Sequence, residues 1–115
     1  MNTASRDSEY LAHICAAIER IHRYLTGKSE VEFMADGLLQ DGVMRNLEII
    51  GEAVGKLSPG LKLRHEDIPW HEISGMRNRL IHGYMDVNLE IVWDTVEKIL
   101  PDFLARIREI QETSF

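Results

Sequence analysis

The sequence predicts an all-α fold, an antiparallel bundle of about four to five helices. Three segments place apolar residues alternately three and four apart over two heptads or more, the period of a helix with one buried face. No stretch alternates with the period of two that a half-buried strand requires, and most glycines and prolines fall between the periodic segments. At 115 residues the chain suits one domain, spanning 1–115 and built on one core.

The first helix is expected over 7–25, where Leu11, Ile14, Ile18, Ile21 and Leu25 form the stripe and Thr26-Gly27 ends it. Gly37 and Gly42 mark breaks before a second helix over 39–57, striped by Val43, Leu47, Ile50, Val54 and Leu57. Gly51 and Gly55 stand four apart inside it, each costing about 1 kcal/mol relative to alanine. Either another helix approaches closely there, or the gap admits a ligand or a catalytic loop. Ser58-Pro59-Gly60 and Ile68-Pro69 punctuate the chain before a shorter helix over 70–82, which packs Ile73, Met76, Leu80 and Ile81 and stops at Gly83. The last helix, over 88–110, carries Leu89, Val92, Val96, Ile99 and Phe103. Pro101 lies within its pattern; because Phe103, Ile107 and Ile110 continue the stripe, a kink is expected rather than an end.

A composition of 44% hydrophobic and 28% charged residues excludes wholesale disorder. No apolar run approaches the roughly 18 residues of a membrane span, and the first ten residues hold no signal-peptide core, so a cytoplasmic protein is expected. The single cysteine, Cys15, sits among Ile14, Ala16, Ala17 and Ile18 and reads as a small buried hydrophobe. A net charge of −6 argues against holding nucleic acid by bulk electrostatics. Residues 70–84, with two arginines against one glutamate, form a basic island between acidic stretches.

Within that island, Met76-Arg77-Asn78-Arg79-Leu80-Ile81-His82-Gly83-Tyr84 is the densest set of functional side chains in the chain. Such a set suits RNA cleavage without a metal or cofactor. That reaction needs a base for the ribose 2′-OH, an acid for the leaving 5′-oxygen and fixed positive charge for the phosphorane. Histidine titrates near neutrality, and arginine grips phosphate with two prongs. Arg77 and His82 are five apart, roughly 140° around a regular helix, so they converge only if the helix ends near His82 or a second protomer completes the site. The bland alternative makes Arg77 and Arg79 surface ion pairs, His82 a helix end and Tyr84 a packing residue.

Three strings, RNLEIIGEA at 45–53, IPWHEISGMRNRLIHGY at 68–84 and VNLEIVWDTVEKILP at 87–101, resemble the HepT-type proteins of the HEPN superfamily. The resemblance runs over about 33–110, and the family's Arg-x4-His-x-Tyr motif matches Arg77, His82 and Tyr84. It implies a HEPN-like helical fold and a homodimeric ribonuclease, the toxin of a toxin–antitoxin pair. The implied partner is a small nucleotidyltransferase antitoxin that silences the toxin by nucleotidylating Tyr84. Asn78 matches the polar residue usual after the motif arginine, whereas Arg79 replaces an apolar or small one and could alter substrate contact. The rival reading is a non-catalytic domain that binds a nucleotidyltransferase and its nucleotide through the same Arg and His.

Other polar residues carry less. Arg45, Glu48 and Glu52 lie at i, i+3 and i+7 on one face beside the glycine pair, and either line the cleft or orient Arg77, or else form a ladder of ion pairs. His65, Glu66, Asp67, His71 and Glu72 fit no common zinc spacing and read as solvated loop. Trp70 and Trp93 read as anchors of a core or interface rather than stacking platforms for bases.

Overall fold

Asn2 opens the first helix, its side chain accepting the Ser5 amide at 2.8 Å, and α1 then runs Thr3–Leu25. In this computed structural model residues 2–82 and 88–114 are described, with the backbone alone for 77, 79–82 and 114. After Gly27, whose φ of 75° needs a residue without Cβ, come α2 (Glu30–Ala35), α3 (Gly37–Lys56), α4 (Pro59–Arg64) and α5 (Trp70–His82). The last helix is continuous but has three parts: α6 (Leu89–Asp94), a π-helical turn (Thr95–Ile99) and α7 (Leu100–Ser114). The described residues contain no strand, in line with the all-α expectation.

The predicted stripes form the core. Leu11, Ile14, Ile18 and Ile21 of α1 meet Val43, Leu47, Ile50 and Val54 of α3, all sealed from solvent, and both helices join one apolar cluster with Phe33, Leu61, Ile73 and Ile107. Polar contacts give the directions. Asp7 reaches Ser58 while Arg20 reaches Asn46, so α1 and α3 are antiparallel. Cys15 pairs with Gln111 while Glu19 pairs with Arg108, so α1 and α7 are antiparallel as well. The helix α5 packs along α3 on one side, and its start meets α7 through Trp70, set edge-on to Phe103.

Two short helices escape a periodicity reading because six residues cannot show a heptad. Their caps are nonetheless written in the sequence. Ser29 caps α2 by accepting the Glu32 amide at 3.2 Å, and Ser58 caps α4 by accepting the Leu61 amide, with Pro59 at the first turn. Ser58-Pro59-Gly60 therefore starts a helix rather than merely ending one. Gly42 is no break either, since it lies inside α3, where a Cβ would come within 3.2 Å of the Tyr24 ring.

Pro101 distorts the last helix as expected, and the distortion is a π turn just before it. The Leu100 amide donates to the Thr95 carbonyl five residues back. This wider turn gives room before a ring that clashes with the preceding carbonyls. It also shifts the stripe. Leu100 is fully buried, whereas Ile99, expected in the core, is 45% exposed.

The glycine pair divides. Gly51 is buried where α3 meets its neighbours, but Gly55 is exposed, and a Cβ there would touch nothing within 4 Å. Gly55→Ala is therefore expected to stabilise the fold by about 0.5 kcal/mol, read as a small rise in melting temperature. A fall in stability would show instead that the gap is used.

Among the described residues, no buried side-chain polar atom lacks a partner. Buried Asp7 accepts the Ser58 amide at 2.9 Å and the Ser58 hydroxyl at 2.5 Å, tying the start of α1 to the cap of α4. Asn46, also buried, accepts from Arg20 Nε at 2.8 Å and donates to the Gly42 carbonyl. Burial pushes the Cys15 thiol above its ordinary range, with Arg108 partly opposing, which fits a packing role.

Candidate functional site

The basic island becomes α5, and its position is fixed from its first turn. Pro69 supplies the carbonyl that accepts the Ile73 amide, and the Trp70 indole N–H donates to the His65 carbonyl at 3.0 Å. Trp70, Ile73 and Met76 are buried, which sets the rotation of the helix. Asn78 is exposed. Arg77, Asn78, Arg79 and His82 thus fall within the last two described turns of α5. The side chains of Arg77, Arg79 and His82, and Tyr84 as a whole, lie outside the described residues.

On α3, Arg45 and Glu48 meet as an ion pair at 3.5 Å, while Glu52 pairs with Lys56 at 3.4 Å. Both pairs are largely solvated and are worth a few tenths of a kcal/mol each. Glu52 also lines a recess of about 220 Å³ with Tyr10 and His13 of α1, and the Lys56 ammonium sits 5.9 Å from the Tyr10 ring. The structure therefore brings Arg45 to Glu48 and turns Glu52 toward α1.

Of the loop residues before α5, Asp67 is held by Arg106 of α7 through a charged hydrogen bond. The Arg106 guanidinium keeps the Asp67 carboxyl below its ordinary range, and Asp67 raises Arg106 in return. By linkage, this pair supports the fold above the ordinary carboxylate range, and that support fades as pH falls through the depressed value. A cavity of about 210 Å³ lies beside the pair, lined by Ile73, Lys98, Asp102 and Phe103 among others. Both tryptophans are anchors: Trp70 is buried, and Trp93 packs on Phe33 with ring centres 5.5 Å apart. The Asp7–Ser58 pin has no signal in the spacing of the sequence. For Asn46 a signal existed, since an amide next to Leu47 falls within the buried stripe.

The helix α5, which carries Arg77, Asn78, Arg79 and His82 in its sequence, is braced against α3 along its length and against Phe103 of α7 at its start. No helix among the described residues is long and apolar enough to cross a membrane. A family model described as ribonuclease HepT-like matches residues 14–110. Among similar proteins, "Putative RNase TTE0752" of Caldanaerobacter subterraneus subsp. tengcongensis is 41% identical over 101 residues, covering 88% of this chain and 90% of that protein. "Probable ribonuclease HepT" of Thermococcus cleftensis is 35% identical, with 90% of this chain and 94% of that protein covered. "Gamma-glutamylcyclotransferase and putative RNase MJ0434" of Methanocaldococcus jannaschii is 40% identical over 90% of this chain, which spans 46% of that longer protein. No solved structure matches.

Proposed function

Because the chain belongs to the ribonuclease HepT-like family, we propose that it is a metal-independent RNA endonuclease, the cytoplasmic toxin of a toxin–antitoxin pair. The observation that carries this reading is the family match running across all of α5, the helix whose final turns hold Arg77, Asn78 and His82. Arg77 grips the scissile phosphate, and His82 moves a proton. A base takes the proton of the ribose 2′-OH, whose oxygen attacks the adjacent phosphorus. The bond from phosphorus to the 5′-oxygen breaks, and an acid protonates that oxygen. The products are a 2′,3′-cyclic phosphate and a 5′-hydroxyl, so DNA is spared for want of a 2′-OH. Arginine supplies the charge and histidine the proton transfer, so the chemistry asks for no metal ion.

Asn78, exposed one turn before His82, orients the histidine or the phosphate. Arg79 adds a second cation on the same two turns. Arg45 and Glu48 flank the cleft from α3, with Glu52 further round. Arg77 and His82 do not face one another on a regular helix, which supports a homodimer in which two α5 ends combine into one positive cleft. The antitoxin, a nucleotidyltransferase, silences the toxin by attaching nucleotide to Tyr84.

Incubating the purified protein with RNA in excess chelator tests the reading. Fragments ending in 2′,3′-cyclic phosphate are expected. Folded protein that leaves RNA intact while binding nucleotide through Arg77 and His82 would favour the non-catalytic partner domain instead.

A further inference from the structure

The corner where α2 meets α3 carries an apolar groove in an acidic surround. Tyr24, Asp36, Leu38, Leu39 and Gly42 line a space of about 400 Å³. Leu38 is 84% exposed, and Val31, on the outer side of α2, is 77% exposed. One exposed leucine is ordinary, but Leu38 beside the part-exposed Tyr24 ring in one open groove marks a contact surface.

The corner is built rather than loose. Phe33 anchors α2 in the core, and the Gln40 amide donates to the carbonyls of Phe33 and Met34, which ties the end of α2 to α3. Asp36 caps α3 by accepting the Leu39 amide at 3.0 Å. Gly42 lets the Tyr24 ring lie against the α3 backbone and floor the groove. Little ordering remains to be done on binding, which favours affinity.

Charge selects the occupant. Residues 29–44 include Glu30, Glu32, Asp36 and Asp41 and no lysine or arginine. Among the described residues, Glu32 pairs with Lys28 at 3.8 Å. RNA is repelled by such a surface. A second copy docking symmetrically through this corner would set the same carboxylates against one another. We propose that the α2–α3 corner docks a basic amphipathic helix of a partner protein, its apolar face seated over Leu38 and Tyr24 and its lysines or arginines among the carboxylates. None of the residues lining the groove belongs to α5, and the proposal stands whether or not α5 cleaves RNA.

The test uses the full chain and a fluorescent amphipathic Leu/Lys helical peptide, followed by anisotropy. A peptide of the same composition scrambled to lose its apolar face should bind much more weakly, and a Leu/Glu counterpart not at all. Leu38→Gln should weaken Leu/Lys binding by about tenfold or more, as expected when an apolar wall of the groove turns polar. Asp41→Asn with Glu30→Gln should weaken it and flatten its salt dependence. Ile91→Gln, beside Glu90 on the exposed side of α6, should leave binding unchanged, and RNA cleavage should survive Leu38→Gln. Equal binding of the scrambled peptide, or indifference to Leu38→Gln, overturns the proposal. So does a dimer that sediments as a monomer after Leu38→Gln, which would give the corner to a second copy.

Discussion

His82→Ala is expected to lower RNA cleavage by about 10²- to 10⁴-fold, the usual worth of a positioned proton-transfer group. Arg77→Ala should cost about 10²- to 10³-fold, as loss of a fixed charge at the phosphorane does. Arg77→Lys should fail almost as badly, because an ammonium cannot reproduce the two-pronged grip. None of the three should shift the melting temperature much, since Trp70, Ile73 and Met76 fix α5 in place. A folded variant with full activity would remove that residue from the mechanism. Mixing the two alanine variants reads out the assembly. If each site takes Arg77 from one protomer and His82 from the other, half of the randomly formed dimers carry one intact site, and about a quarter of wild-type activity returns. If both residues act within one protomer, mixing restores nothing.

Much of this fold is legible because burial demands periodicity. The stripes on α1 and α3 are those the pattern names, and α5 occupies the expected 70–82. What the pattern misses has physical causes. A six-residue helix is held by its caps and one or two anchors, Phe33 in α2 and Leu61 in α4, so its signal lies in Ser29 and Ser58. Ile99 reads as core because a stripe counted at 3.6 residues per turn assumes an unbroken α-helix. The proline that forces the wider turn was visible, but its effect on register was not. Gly42 reads as a breaker until the Tyr24 ring is seen against it.

For the candidate site, sequence gives the density of chemistry on one short helix and little about convergence. Arg45, Glu48 and Glu52 share a face by spacing, yet Glu52 pairs with Lys56, one turn on, rather than with Arg45, two turns back. A helix face is a necessary condition for contact, and the choice among reachable partners falls to distance. The same limit applies to Arg77 and His82, for which spacing alone argues against convergence on one regular helix. Subunit mixing decides whether the two residues meet within one protomer or across two.

Tyr84→Phe is expected to give a ribonuclease that its nucleotidyltransferase cannot silence. In the proposed modification the phenol oxygen of Tyr84 attacks the α-phosphorus of ATP, the bond to pyrophosphate breaks, the phenol proton passes to a base on the transferase, and a tyrosyl–adenylate phosphodiester remains. Tyr84 follows His82 by two residues, so the new phosphate adds negative charge and bulk next to the segment that must receive the RNA backbone. Arg77 or Arg79 can pair with it, as arginines pair with any phosphate, and an arginine so occupied is lost to substrate. Silencing of this kind leaves the domain folded, which separates it from inhibition by unfolding. After incubation with the transferase and ATP, wild-type protein should gain adenylate mass and lose cleavage at an unchanged melting temperature. Tyr84→Phe should gain no mass and keep its cleavage. Adenylate found on another residue, or a silenced Tyr84→Phe, would detach regulation from this tyrosine and leave the phenol a packing or hydrogen-bonding role.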